Sequence, residues 1–548
     1  MVKKHIKNFF EFIKSDFFFI FSIMFVNLLV CFVLFKTLPF GDTSHYAHMT
    51  RVILEDHSIF QHDFYSYFSI LLSIVNIPAF LLFRNEFLSI RVTVLLIHFL
   101  IAPVFFILFR KILGRLAKPL TMLLLLNPLL IFFSGVYSWA EGLTTLLAII
   151  AFYFFFRREK LLSKDYFLFG LFSGLAVLAR TSYLLFVWPF CLFLLYDVYK
   201  DCFVLLKSAR SFNKGISESL KRILSLSLVI LPYLFWLVIQ KLMIVGAGDK
   251  ATNYFKLVID LMSSNAGTVF SISLILTSFI ALCSVGMLIL FGPIVLIILF
   301  RIKKPAFNKL SLTLFAFFFL IIFHSFWYTN EGINLVLRLR YLTPYIGVGF
   351  VAIGLFIKEY FLREKGKYAV FCKRFSIKLE RKNVLNILFS ISIIFFLFSS
   401  LIIDFTFLNA NLTKITPSGK DYVLLYSRNV FDAANWMNDN IVENSDVVLL
   451  IQRKHSDIGL EYFIPDLLRS DLKIHISNTT RPFGNFKLIG SSDNLSGFYI
   501  LSDEVLTETS VISKSSIREL YSTRKEPVYH VYFYSGNISD FSAENCVI

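Results

Sequence analysis

Apolar residues run in long, nearly unbroken blocks along this chain, and polar residues collect between the blocks. Blocks of about 17–25 residues, long enough for roughly 30 Å of hydrocarbon, recur near 16–36, 88–109, 119–137, 140–156, 166–180, 182–198, 223–240, 271–300, 309–327, 341–357 and 385–404. The block at 67–83 is also apolar, but Asn76 and Pro78 interrupt it. From about 405 the pattern changes to a polar, mixed one. Phe431–Asn438 places apolar residues at helical spacing, Asp446–Ile451 reads as a buried strand, and Val528–Tyr534 reads as another. The pattern predicts an all-α polytopic membrane bundle over 1–404, with about eleven transmembrane helices and interfacial helices in the first outer loop. A small extracytoplasmic α/β domain over 405–548 follows, long enough to bury a core of its own.

Charge orients the spans. Six connections carry the Lys and Arg: the N-terminus (Lys3, Lys4, Lys7, Lys14), 110–118, 157–164, 197–222, 301–309 and 358–382. Together they hold about 31 basic residues against about 9 acids, whereas 37–87, 241–268 and 328–340 hold about 7 against about 8, and basic loops stay in the cytoplasm. The alternation holds only if 67–83 lies along the membrane surface. The N-terminus is then cytoplasmic and the C-terminal domain outside, as in a multi-pass protein of the cell membrane. The first block reads as a retained anchor, because no small-residue cleavage site follows it.

Composition agrees with the pattern. A mean hydropathy of +0.70, 57% hydrophobic residues and 66 Phe leave a water-soluble fold nowhere to place its apolar surface. The net charge of +17 is then a topology signal and does not indicate nucleic acid. Five of the six cysteines fall in spans or inner loops and only Cys546 in the outer domain, so the spacing supports neither an intradomain disulfide there nor a metal site.

Three places can carry chemistry. The first outer loop holds Asp42, His45, Tyr46, His48, Glu55, Asp56, His57, His62, Asp63, Tyr65 and Tyr67. A carboxylate here, Asp42 first and Asp63 second, can accept the proton of an attacking hydroxyl. The alternative is a solvated loop resting on headgroups. The histidine spacing fits no trusted ligand pair, so no metal is assigned, although a divalent cation remains compatible. The second place is Ser134-Gly135-Val136-Tyr137-Ser138-Trp139-Ala140-Glu141, where Glu141 enters a span. An acid at that depth needs a polar cavity or a partner such as a nearby Arg. The third is the scarce outer basic set: Arg180, Arg338 and Arg340, with Arg91 and Lys250 weaker. Arg suits a phosphate through its fork of donors and permanent charge, and it also snorkels to headgroups without specific function.

Taken in order and by membrane side, these segments resemble the C-type glycosyltransferase fold over roughly residues 10–405. Asp42 just after the first span, Tyr46 four residues on, and the amphipathic loop are similar to that fold. Asn127-Pro128, Phe133-Ser134-Gly135-Val136-Tyr137-Ser138-Trp139-Ala140-Glu141, Gly174–Thr181 and Arg340-Tyr341-Leu342-Thr343-Pro344 resemble its mannosyltransferase branches. The acidic pair usual after the first span is Asp42-Thr43 here, and the outer domain lacks the Trp-Trp-Asp triplet of oligosaccharyltransferase catalytic subunits. The resemblance implies inverting transfer of one sugar, with mannose the first candidate, from a polyprenyl or dolichyl phosphate to a glycan, lipid or protein acceptor on the outer face. It implies Asp42, Asp63 and Glu141 as catalytic, Arg180, Arg340 and Arg338 on the donor phosphate, and His45, Tyr46 and Tyr137 on the substrate. The chain has no Gly-rich nucleotide loop, as a nucleotide-sugar transferase would need on the cytoplasmic side. A lipid-linked sugar flippase or transporter would put acids and bases at mid-span. A polysaccharide polymerase or ligase would use a diphosphate-linked oligosaccharide in a large outer loop.

Overall fold

The computed structural model describes residues 16–35, 42–56, 70–127, 130–136, 140–206, 212–243, 309, 312–313, 316, 343–358, 423–450, 467–469, 471–476, 487–488, 496–502, 517–523 and 529–537. The predicted spans 271–300 and 385–404, and most of 309–327, lie outside these residues.

Among the described residues up to 358, helices dominate. They are α1 (Asp16–Phe35), α2 (Asp42–Arg51), α3 (Leu71–Phe83), α4 (Glu86–Leu113), α5 (Ala117–Leu125), α6 (Glu141–Phe156), α7 (Ser163–Ala179), α8 (Tyr183–Leu206), α9 (Phe212–Ser227), α10 (Leu231–Met243) and α11 (Ile346–Ile357). Among the described residues, Glu86–Leu125 and Tyr183–Phe203 are long and apolar enough to cross a membrane. The pair Ile216–Ser227 and Leu231–Ile239, bent by 50°, makes a third if it is one span. Asp16–Phe32, Glu141–Phe156 and Thr343–Ala352 are apolar but shorter.

The burial pattern is inverted relative to a soluble bundle. Helix α1 exposes Phe17, Phe21, Phe25, Leu28 and Phe32, and turns Ile23, Asn27, Cys31 and Leu34 inward. The polar Asn27 is on the inner face because its amide donates to the Phe99 carbonyl at 3.1 Å. Such an exposed apolar stripe is stable against lipid and costly in water.

Helices α1 and α4 run antiparallel along their length. Asp16 meets Arg110 at 3.0 Å, the Phe19 and Phe106 rings are 4.8 Å apart, Cys31 donates to the Leu95 carbonyl, and Arg91 donates to the Leu34 carbonyl. The chain between them therefore starts and finishes at one end of the pair. In that interval Arg84 takes the left-handed conformation (φ 53°) and closes α3 by donating to the Phe80 carbonyl at 2.8 Å. Asn85 then caps α4, its Oδ1 accepting from the Leu88 N–H at 2.7 Å. Helix α4 stops at Gly114, whose φ of 61° no L side chain adopts readily.

Glycines also set how the bundle closes. Gly170 and Gly174 on α7 lie directly against the Ser225 and Leu228 carbonyls, so a Cβ at either position would collide with backbone. Small residues four apart let two helix backbones approach in this way.

The two ends of the bundle differ in charge. At one end Asp16 also meets Lys118 (3.4 Å), Arg157 pairs with Asp165, and Asp201 takes both Lys160 (3.3 Å) and Arg222 (2.9 Å). Lys309 and Lys358 there donate to carbonyls at the closing turns of α6 and α4 (Phe155 and Ile112), satisfying acceptors that a helix end leaves open. At the opposite end lie the close of α1, helix α2, the starts of α4, α6 and α8, the close of α7, and the turn Thr343–Tyr345.

The C-terminal region holds helix α12 (Val423–Asn440) and a six-stranded mixed sheet. Its strands are β1 (Asp446–Leu450), β2 (Lys473–Ile476), β3 (Lys487–Leu488), β4 (Ser496–Ser502), β5 (Ile517–Ser522) and β6 (His530–Asn537), in the order β3-β2-β1-β4-β6-β5. Strands β1 to β4 pair in parallel, and β6 runs antiparallel to both β4 and β5. Val447, Val448 and Leu449 are buried, as expected for a strand covered on both faces. Phe431 of α12 meets Phe87 of α4 edge-on at 6.0 Å, which seats this region at the end opposite the basic one.

Candidate active site

The end opposite the basic one has its own set of buried polar groups. Glu141 opens α6 and Arg180 follows the last residue of α7, and the two form an ion pair at 2.6 Å with side chains 0% and 12% exposed. Buried charges persist where they are paired. The turn Thr343–Tyr345 packs against α6, the helix that Glu141 opens. The Tyr345 ring stacks on Phe186 at 3.9 Å and on Tyr183 at 5.7 Å, and its hydroxyl donates to the Ser182 carbonyl at 3.4 Å. The charge pair and the aromatic stack thus lie at the same end of the bundle.

Helix α2 approaches from the first outer loop. Asp42 is its first residue, and its last turn is held by Glu86, whose Oε1 is 3.2 Å from His48 Nδ1 and 3.3 Å from Arg51 Nη1. A second polar chain backs it. Thr50 donates to the Ser73 carbonyl (3.1 Å), Asn76 donates to Thr50 Oγ1 (3.1 Å), and Thr93 donates to Asn76 Oδ1 (2.8 Å). These links tie α2 to both α3 and α4.

The segment before Glu141 is pinned as firmly. Arg91, fully buried, donates to the Gly135 carbonyl at 2.9 Å as well as to Leu34. Ser134 gives its proton to the Leu130 carbonyl (2.5 Å), so His98 Nδ1, at 2.6 Å from the serine oxygen, is the donor in that contact. Asn127 Oδ1 accepts from the Leu130 N–H at 3.2 Å, so the Asn127 side chain acts as the cap of this turn. Gly142 fits because a Cβ there would lie 2.8 Å from that of Ser134.

The structure brings together Glu141 and Arg180 among the residues expected from sequence. Tyr46 is buried in the core and His45 is half-buried on the same helix. The side chain of Asp42, together with Asp63, Tyr137, Arg338 and Arg340, lies outside the described residues. Glu86, His98 and Tyr345 were not singled out from sequence. Glu86 follows an N-cap residue, where an acid ordinarily serves the helix dipole in solvent, and only its burial sets it apart. Among the described residues no cluster of three or more His, Cys, Asp or Glu could hold a metal ion.

No family model and no curated protein matches this chain. Among solved structures, it is similar to ArnT from Cupriavidus metallidurans in the apo state, at 12% identity and a TM-score of 0.45, covering 93% of this chain and 97% of that one. It is similar to the same protein bound to undecaprenyl phosphate, at 14% identity and a TM-score of 0.47, covering 95% and 98%. An oligosaccharyltransferase from Archaeoglobus fulgidus in the apo form matches at 12% identity and a TM-score of 0.36, covering 82% of this chain and 63% of that one. With every TM-score below 0.5, these likenesses assign neither fold nor function, which rest on the residues themselves.

Proposed function

We propose that this chain is an integral membrane glycosyltransferase of the C-type fold. In this reading it moves one hexose, with mannose the first candidate, from a polyprenyl or dolichyl phosphate to a glycan, lipid or protein acceptor on the outer face, with inversion. The observation that carries it is the buried Glu141–Arg180 pair, at the same bundle end as the Tyr345 stack and the start of α2 at Asp42. A lipid donor enters such a site from the bilayer, phosphate first toward the arginines. The antiparallel α1 and α4 and the 13 residues of α3, fewer than the roughly 20 a span needs, support the reading in which 67–83 does not cross.

In this mechanism the acceptor hydroxyl attacks the anomeric carbon, Asp42 takes the hydroxyl proton, and the carbon–oxygen bond to phosphate breaks. The lipid phosphate leaves toward Arg180, Arg340 and Arg338. A guanidinium has five donors, so Arg180 can keep Glu141 while donating to a phosphate oxygen. Glu141 holds that fork in place, and Asp63 with His45, Tyr46 and Tyr137 serves the acceptor side.

Purified protein incubated with radiolabelled polyprenyl-phosphate sugars and membrane extract should release label from the lipid into an acceptor. Asp42→Asn should lower turnover by roughly 10²–10⁴ while leaving donor binding near wild type. Movement of intact lipid-linked sugar across vesicles without transfer would sink the reading in favour of a flippase.

A further inference from the structure

Glu86 is an acid at the first residue of a helix, a position where carboxylates ordinarily face water. Here its side chain is only 5% exposed. A buried carboxylate needs partners, and His48 and Arg51 supply them from one face of α2, three residues apart. The grip falls on the last turn of the helix whose first residue is Asp42, about 14 Å away along the axis. The Thr50–Ser73–Asn76–Thr93 chain fixes the same half of α2 from its other side. The next residue, Phe87, touches Phe431, so the turn that grips α2 also meets the C-terminal region.

We infer that Glu86 is a positioning residue for the transfer reaction. Its carboxylate sets the angle and depth of α2, and through that rigid helix the place of the Asp42 backbone. This rests on the reading of Asp42 as the base. Removing the charge loosens one of the two ties on that end of a ten-residue helix and lets it tilt about the other, and a displacement of about 1 Å at a reacting group can cost 10²-fold in rate.

The test is a kinetic cycle with Asp42→Asn, Glu86→Gln and the double variant, using radiolabelled polyprenyl-phosphate sugar as donor. Glu86→Gln should lower kcat on the order of 10–100-fold with donor KM near wild type, and should lower the thermal midpoint as the loss of a buried ion pair does while leaving the protein folded at assay temperature. In the Asp42→Asn background Glu86→Gln should cause no further loss, since the base it positions is already gone. Equal losses in both backgrounds, or an unchanged kcat in Glu86→Gln, would overturn the inference. Wild-type turnover by Asp42→Asn would instead remove the reading of the base, which keeps the two failures apart. Should Glu86→Gln fail to fold, His48→Ala with Arg51→Ala withdraws the grip from the other side and is expected to give the same split between kcat and KM. Unchanged kcat in that pair would equally overturn it.

Discussion

Replacing Arg180 by Met keeps the apolar stem and removes the guanidinium that faces Glu141. The carboxylate left behind is 0% exposed and loses a partner 2.6 Å away. Breaking one side of a buried ion pair costs about 3–5 kcal/mol, because the survivor keeps its desolvation penalty and forfeits the attraction that offset it. The lower bound is the loss of one hydrogen bond to a charged group, about 1.5–3 kcal/mol. At roughly 2 °C per kcal/mol, the value for larger domains, the thermal midpoint should fall by about 6–10 °C. Adding Glu141→Gln should restore much of that loss, since a neutral amide no longer requires a cation. The expected coupling in the cycle is about 2–3 kcal/mol, read from thermal unfolding in detergent or nanodiscs. Arg180→Lys should fall between, keeping the charge without the fork. Strict additivity, or a neutral Arg180→Met, would show that water already serves the pair, and the buried site would lose its central feature.

Three further outcomes follow from the same structure. Gly174→Leu should abolish the folded protein, because the side chain meets the Leu228 carbonyl and has nowhere to move; Gly114→Ala, with open space around it, should cost about 1–3 kcal/mol, from its glycine-favouring backbone conformation alone. Folded Gly174→Leu at wild-type yield in detergent would contradict the close packing. An impermeant thiol reagent should label Ser491→Cys from outside and leave Lys111→Cys and Lys365→Cys protected; outside labelling of Lys111→Cys would break the proposed topology. Arg340→Ala should weaken donor use by about ten-fold or more, the worth of a charge-assisted contact of about 1.5–3 kcal/mol, with Arg340→Lys still impaired for want of the fork, and unchanged donor dependence in Arg340→Ala would make Arg340 an interfacial anchor.

Much of the bundle was legible because lipid imposes a one-dimensional rule: a span must be apolar and long, so the blocks at 16–36, 88–109, 140–156, 166–180 and 182–198 fall on helices. The strands Asp446–Leu450 and His530–Asn537 and the helix around Phe431 were legible through their periods. Partnership was not. Glu141 was read as a catalytic acid or as one paired with a nearby Arg, and Arg180 as a phosphate residue, but which Arg meets Glu141 was not legible. Nothing in spacing says that residues 39 positions apart share a bond. The buried state of Glu86 was equally hidden, because its sequence context is that of an ordinary first-turn acid.

The physical reason lies in what apolar packing leaves unspecified. A hydrophobic block fixes that a helix crosses, while its neighbours are chosen by backbone approach, here by Gly170 and Gly174 against two carbonyls and Gly135 beside Leu34. Polar residues are tolerated mainly at helix ends, so a candidate site can be listed from sequence by reading the ends of one side. Which ends meet then follows from register. Once α1 and α4 align from Asp16 with Arg110 to Leu34 with Arg91, the start of α4 must lie level with the close of α1, and the carbonyls of Leu34 and Gly135 both reach Arg91. That clasp fixes Gly135 against α1 and α4, six residues before Glu141 opens α6. The buried Arg91, weighed from sequence as a weak phosphate candidate, is therefore better understood as the residue that turns helix register into site geometry.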